Sequence, residues 1–456
     1  MHTVKGRPPI PVFAVFVCVF FVGFFLYNEN IRRIQEDKAG RLRESLSSAV
    51  STPDRGRSRT ENRSSTSSGG AFDWSKACPT IRNRSLGAEG KRSGLETRGD
   101  DFTDEFADQR PEDSNTCDLF SGKWVFDNAS YPLYSERDCP YMSDQLACRK
   151  HGRPDSVYQN WRWQPHKCNL KRWNATAMWE KLRGKRLVFV GDSLNRGQWI
   201  SMVCLLQSVI PKDQKYMTPN SHLTIFKAKE YNASVEFYWA PLLVESNSDD
   251  PVKHRLSNRI IRPDSIAKHA AHWGKADILV FNSYLWWRSG TKIKLLWENA
   301  EDGACEETEG LEAMKLALRT WEEWIFSNIN PLLTRVFFVT MSPTHLWSHE
   351  WGPKTGGNCF NETTPITTEY YWGSGSDTRI MRIVDNILAR LGSRVTVLNI
   401  TQLSEYRKDG HPSIYRKFWE TFSSEQMLNP VSRSDCIHWC LPGVPDAWNE
   451  LLYALL

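Results

Sequence analysis

Beyond residue 185, short apolar runs of strand length alternate with longer amphipathic stretches, a rhythm that few architectures satisfy. The runs at residues 187–190, 235–239, 278–281, 336–341 and 395–400 read as strands. Between the third and the fourth, Leu311, Met314, Leu318, Trp321 and Ile325 recur at three- and four-residue steps, which puts one apolar stripe on a helix and predicts core packing there. Strands alternating with helices imply an α/β fold whose parallel sheet is covered on both faces, with reactive groups gathered at the carboxyl ends of the strands. No internal repeat interrupts this pattern.

The N-terminal part follows different rules. Residues 10–27 form a nearly continuous apolar run behind Lys5 and Arg7, long enough to span a bilayer. No small-residue cleavage site follows, and the run passes directly into Asn28, Glu29 and Asn30, so it reads as an uncleaved anchor with residues 1–9 as a cytosolic tail. Positive charge does not set the orientation, because Arg32, Arg33, Lys38, Arg41 and Arg43 beyond the anchor outnumber the two in front. Seven Asn-x-Ser/Thr sequons lie beyond it, at Asn62, Asn83, Asn128, Asn174, Asn232, Asn361 and Asn399, together with ten of the eleven cysteines. Both features suit an oxidising lumen. Residues 28–115, rich in Ser, Arg, Gly, Asp and Glu, bury too little apolar surface to offset chain entropy and are expected to form a flexible stem. Cys78 within it is either unpaired or links two copies. From residue 116 to 168, Cys117, Cys139, Cys148 and Cys168 accompany Trp124, Trp161 and Trp163, predicting a small disulfide-stapled subdomain ahead of a catalytic domain at 169–456. The formal net charge of +5 over 456 residues is too modest to argue for nucleic acid.

Chemistry enters where the first strand ends in Gly191-Asp192-Ser193. A serine at a strand-to-helix turn is lifted clear of the sheet beside backbone N–H groups that can face an anion, as an acyl-transfer nucleophile requires. Asp192 or Ser193 as a mere helix cap is the plainer alternative. Near the other end stands Asp435-Cys436-Ile437-His438, in which a carboxylate three residues from an imidazole can orient it and leave the second nitrogen to take a serine proton. Cys436, His438 and Cys440 as metal ligands form a rival, weakened because thiolates in an oxidising lumen are usually paired. Asn282, closing the third strand, is a candidate oxyanion donor beside the Ser193 N–H, with an ordinary turn residue as the alternative.

With those residues in view, the Gly-Asp-Ser motif and the late Asp-x-x-His resemble the SGNH/GDSL hydrolase superfamily. The fuller segments 191–199 and 435–449 resemble the plant trichome-birefringence-like family of polysaccharide O-acetyltransferases, as do 160–165, 235–241 and 244–251, which lean toward its xylan-acetylating branch. The resemblance covers residue 117 to the C-terminus. It implies an SGNH-hydrolase-like three-layer sandwich with a central parallel sheet plus the small N-terminal subdomain. It further implies a single-pass type II protein of the Golgi membrane with a luminal catalytic domain, Ser193 as nucleophile, His438 as base and Asp435 as its orienter. Disulfides similar to the family's would join Cys117 to Cys168, Cys139 to Cys204, Cys148 to Cys440 and Cys359 to Cys436. One departure is that no second-block glycine follows the second strand, which makes Arg196 a candidate second oxyanion donor, or alternatively a structural ion-pair partner.

The expected reaction is transfer of acetyl to O-2 or O-3 of xylosyl residues through an acetyl-serine. The acceptor is xylan or a related polysaccharide, the acetyl donor is a co-substrate of unspecified identity, and neither cofactor nor metal is called for. Trp161, Trp163, Trp286, Trp287, Trp347 and Trp351 are candidates for sugar stacking, each with core packing as its alternative. Two rivals stand beside transfer to xylan: an acetyltransferase for mannan, xyloglucan or pectin, and an acetylesterase, since the same triad hydrolyses esters when water is the acceptor. A third, from another class, is a polysaccharide-binding protein on an inactive esterase scaffold.

Overall fold

The computed structural model describes residue 74, residues 77–82 and residues 117–456, apart from 219–221, 289–291, 298–302, 353–355 and 420. The expected tail and anchor at residues 1–27 lie outside the described residues, as do the sequons at Asn62 and Asn83. Among the described residues no helix is long and apolar enough to cross a membrane.

The chain runs through β1 (Ile81–Arg82), β2 (Gly122–Phe126) and β3 (Trp161–Pro165), then α1 (Ala175–Leu182), β4 (Arg186–Gly191) and α2 (Ser193–Gln207). There follow β5 (Lys215–Thr218), β6 (Leu223–Ala228), β7 (Ala233–Trp239), β8 (Ile260–Ile261), α3 (Ala267–Trp273) and β9 (Ile278–Asn282). The remainder comprises β10 (Lys292–Leu295), β11 (Cys305–Glu309), α4 (Gly310–Asn328), β12 (Arg335–Val339), α5 (Thr378–Leu391), β13 (Val395–Leu398), α6 (Thr401–Glu405), α7 (Ser424–Leu428) and α8 (Val444–Leu455).

The five strands expected from the apolar runs are β4, β7, β9, β12 and β13, and they lie mutually parallel in one sheet ordered β13-β12-β9-β4-β7-β6-β5. The antiparallel edge strands β5 and β6 were not foreseen; their sequences Lys-Tyr-Met-Thr and Leu-Thr-Ile-Phe-Lys-Ala mix polar and apolar residues because one face is open to solvent. Central strands are buried on both faces, and their side chains alternate between two cores. Leu187, Phe189 and Val280 join the core under α1, α2 and α8. Val188, Val190, Leu279 and Phe281 join the one under α3, α4 and α5. Met314, Leu318, Trp321 and Ile325 of the predicted stripe are wholly buried in the second core, so α4 is a packing helix. In chain order the parallel strands run 2-1-3-4-5, which places the topological switch between β4 and β9, the crevice where such folds bind ligands.

Of the expected stem at residues 28–115, only residue 74 and residues 77–82 are described, and these belong to the folded body. Within residues 28–115, β1 pairs with β11, Cys78 is disulfide-bonded to Cys305, and Trp74, Ala77 and Cys78 pack against Ile260 and Leu296. Cys78 is therefore neither unpaired nor an intermolecular link. The apolar surface that joins this short island to the body comes from Trp74, Ala77 and Cys78, with the Cys78–Cys305 bridge as its covalent tie, while Ile81 stays exposed and contributes through the β1 pairing.

The Cys/Trp-rich subdomain is likewise bound into the larger domain. Its hairpin, β2 with β3, closes under Cys117–Cys168, while Cys139–Cys204 and Cys148–Cys440 staple it to α2 and to the C-terminal loop. The fourth bridge implied by the resemblance, Cys359–Cys436, is also present. The five sequon asparagines within the described residues, Asn128, Asn174, Asn232, Asn361 and Asn399, are all exposed.

Candidate active site

β4 ends at the switch point, and its last residue meets Asn282 of β9 in register. The two backbones approach so closely that a Cβ on Gly191 would lie 2.3 Å from the Asn282 carbonyl oxygen, which is why only glycine fits. Asp192 then caps α2, its Oδ1 accepting from Leu194 N at 2.9 Å. Burial pushes the Asp192 carboxyl up to about 6, against the pull of the Leu194 amide and of His438. Ser193 is the first residue of the helix, where a backbone N–H has no intrahelical acceptor and the helix dipole is positive.

The far end of the chain returns to this point. His438 Nε2 lies 2.8 Å from Ser193 Oγ, across 245 positions of sequence. On the other side of the ring, Nδ1 lies 2.9 Å from Asp435 Oδ2 and 3.1 Å from Oδ1. A carboxylate can only accept, so Nδ1 carries the ring proton and Nε2 is left as acceptor for the serine hydroxyl. Asp435 also accepts from the backbone N–H of Ile437 and of His438, at 3.1 and 3.0 Å, and Arg416 Nε is 3.5 Å away. Burial alone would raise its carboxyl; the His438 ring, these hydrogen bonds and Arg416 outweigh burial and hold it far below the usual carboxylate range. Asp435 is thus a fixed anion behind the imidazole.

Three neighbours that sequence reasoning missed hold the imidazole. Gln145, from the N-terminal subdomain, brings its amide nitrogen Nε2 3.1 Å from His438 Nδ1; because Nδ1 carries the ring proton, a hydrogen bond there requires the amide turned over so that Oε1 accepts. His411, fully buried and stacked on Trp439 at 4.1 Å, donates Nδ1–H to the His438 carbonyl at 2.7 Å. Ser413 pairs with Asp435 by backbone hydrogen bonds of 3.0 Å in each direction. None lies in a recognisable motif; the only signal was that Gln145 and Leu146 precede Cys148 in a cysteine-rich segment.

The expected oxyanion donors are placed differently from one another. Asn282 does stand at the carboxyl end of β9, but its Nδ2 donates to Val339 O at 3.0 Å and Thr340 O at 3.3 Å, and its Oδ1 is buried without a partner. The carbonyls closing the neighbouring strand β12 capture the amide, so Asn282 presents no N–H to Ser193, contrary to expectation. Arg196 lies three residues along α2 on its exposed side, and among the described residues no hydrogen-bond or ion-pair partner holds its side chain. Cys436 and Cys440 are both in disulfides, which removes the thiolates that a metal reading of this loop requires. Of the tryptophans considered for sugar stacking, Trp163 and Trp287 are buried core residues, whereas Trp347 is 52% exposed.

A doubly wound sheet with a hydrogen-bonded Ser-His-Asp series at its switch point has the parts that serine-dependent acyl-esterases and acyltransferases use. Residues 170–455 match the family model described as the GDSL/SGNH-like acyl-esterase family found in Pmr5 and Cas1p, and residues 115–169 match that of the PMR5 N-terminal domain. Protein trichome birefringence-like 35 of Arabidopsis thaliana is 65% identical over 359 residues, 78% of this chain and 80% of that protein. Probable xylan O-acetyltransferase 10 of Oryza sativa subsp. japonica is 54% identical over 342 residues, 75% of this chain and 78% of the relative. Xylan O-acetyltransferase 14 of the same plant is 52% identical over 363 residues, covering 74% and 76% of the two chains. The chain belongs to the trichome birefringence-like family.

Proposed function

We propose that this protein is a xylan O-acetyltransferase working through an acetyl-serine. The observation that carries the mechanism is the 2.8 Å approach of His438 Nε2 to Ser193 Oγ, with the Asp435 anion behind the ring. Two relatives named as xylan O-acetyltransferases, each sharing more than half of its aligned residues with this chain, support the acceptor.

In the first half-reaction Ser193 Oγ attacks the acetyl carbonyl as its proton passes to His438 Nε2; the donor's leaving group departs with that proton, and the acetyl remains on Oγ. In the second, a xylosyl O-2 or O-3 hydroxyl gives its proton to Nε2 and attacks the acetyl carbon, and Ser193 leaves reprotonated. The negative oxygen of each tetrahedral intermediate is held by the Ser193 N–H at the head of α2, with the free Arg196 guanidinium as the second donor. The protein would work as a type II protein of the Golgi membrane, anchored by residues 10–27, with glycans on exposed sequons; five disulfides suit such an oxidising lumen.

The test is to incubate the full chain with an acetyl donor, with and without xylohexaose, and follow products by mass spectrometry. Acetylated oligomer formed by the wild type and absent with Ser193→Ala supports the proposal. Free acetate produced at a rate indifferent to acceptor identifies an esterase instead, and transfer to mannan or xyloglucan oligomers in preference to xylohexaose reassigns the acceptor.

A further inference from the structure

Beside the Ser193–His438 pair lies an apolar dimple lined by Leu146, Leu194, Gly197, Trp439 and Pro445. Its accessible volume is about 10 Å³, room for one water- or methyl-sized body. Its walls come from three separate parts of the chain: Leu146 from the N-terminal subdomain, Leu194 and Gly197 from the first turns of α2, and Trp439 and Pro445 from the loop and helix after the histidine. Leu146 is held in place, since its carbonyl accepts from Leu441 N at 3.0 Å and its side chain is 3% exposed.

Gly197 is the informative wall. It sits inside a fifteen-residue helix, where glycine is a poor choice, and its backbone does not occupy the left-handed region that would demand one. Neither is there a steric reason, because the nearest atom to an added Cβ would be Leu146 Cδ1 at 3.6 Å, an ordinary van der Waals contact. What such a methyl would do is occupy the space between α2 and Leu146, one turn of helix from the nucleophile.

We infer that this dimple is the seat of the acyl methyl group, and that Gly197 and Leu146 limit the enzyme to acetyl by leaving room for one carbon and no more. The inference rests on the acetyl-serine reading above and adds the residues that choose the acyl group. It also gives the N-terminal subdomain a part in specificity, because Leu146 is one wall of the dimple.

The full chain is assayed with p-nitrophenyl acetate, propionate and butyrate, each rate corrected by that of Ser193→Ala. Each carbon beyond acetyl is expected to cost the wild type about 10- to 200-fold in kcat/KM. Gly197→Ala is expected to lose about 10-fold or more on the acetate ester while its melting temperature holds or rises, since alanine is the better helix former. Leu146→Ala is expected to raise the ratio of butyrate to acetate turnover by a similar factor. Gly197→Ala with unaltered acetate turnover, or Leu146→Ala with an unaltered chain-length profile, overturns the inference while leaving Ser193 as nucleophile. A wild type that turns over no ester faster than Ser193→Ala removes the acetyl-serine reading and this inference with it.

Discussion

The amide of Gln145 stands 3.1 Å from Nδ1 of His438, although 293 positions separate them in the chain. The cysteine-rich subdomain therefore reaches into the site it precedes, and the Cys148–Cys440 bridge, two residues beyond the histidine, keeps it there. Holding an imidazole at one rotamer against two competing partners is what a general base requires, because its proton must come from a single direction.

Gln145→Ala removes one of those partners. Losing one neutral hydrogen bond at the ring should lower kcat for acetyl transfer by about 5- to 10-fold, with KM for xylohexaose little altered. Steady-state kinetics of transfer read the split; a rise in KM alone would make Gln145 an acceptor contact.

Asp435→Asn keeps the shape of the side chain and removes its charge. The imidazole then loses both the partner that sets its tautomer and the anion that stabilises its protonated form, and kcat should fall by about 10⁴-fold with an unchanged circular dichroism spectrum. Activity within tenfold of the wild type would show that the 2.9 Å contact of Asp435 with His438 is structural.

Asn282 and Arg196 make opposite predictions. Asn282→Ala strips an amide donor from the Val339 and Thr340 carbonyls, so it should destabilise the fold by about 1–3 kcal/mol in urea titration while kcat of the folded fraction changes little. Arg196→Gln should cost about 10²- to 10³-fold in kcat with no loss of stability. The reverse pattern would return the oxyanion to Asn282.

Glu450, inside α8, is bonded by the Tyr131 hydroxyl at 2.7 Å, and burial raises its carboxyl from 4.5 to about 7. Its folded value lies above its unfolded one, so its contribution to stability is complete below about pH 4.5 and is lost as pH rises through 7. Glu450→Gln keeps an oxygen for Tyr131 and should flatten the fall of melting temperature across that window, an effect on the order of 3 kcal/mol at pH 8. Asp435 has the opposite sign, its lowered carboxyl stabilising the fold above its unfolded value near pH 4 and losing that effect as pH falls further.

Replacing Cys148 and Cys440 together by Ala opens the tie between the subdomain and the histidine loop. The expected loss is about 2–5 kcal/mol of stability by denaturant titration. Activity should fall further than stability explains, because Cys440 and the Gln145 contact both position the same ring.

Much of this protein was legible in its sequence because the relevant signals are local. A strand buried on both faces must be an apolar run, which is why β4, β7, β9 and β12 were recognisable; the edge strand β13 was recognisable because its sequence Val-Thr-Val-Leu is still mostly apolar, and a helix beside them must carry a stripe like that of α4. The edge strands β5 and β6 escaped because a half-exposed strand has no such composition, and the ordered island at residues 77–82 escaped because its partner strand lies more than two hundred positions away.

Within the site the same division holds. Ser193, Asp435 and His438 announced themselves by residue type and by the turn or spacing they occupy, properties that follow from bond geometry over a few residues. Whether the amide of Asn282 would face the nucleophile or the end of β12, whether a glutamine before Cys148 would touch the histidine, and whether Gly197 would border a methyl-sized space were decided only by packing. Such contacts join segments hundreds of residues apart, and their energies depend on distances of a few ångströms that no local pattern encodes.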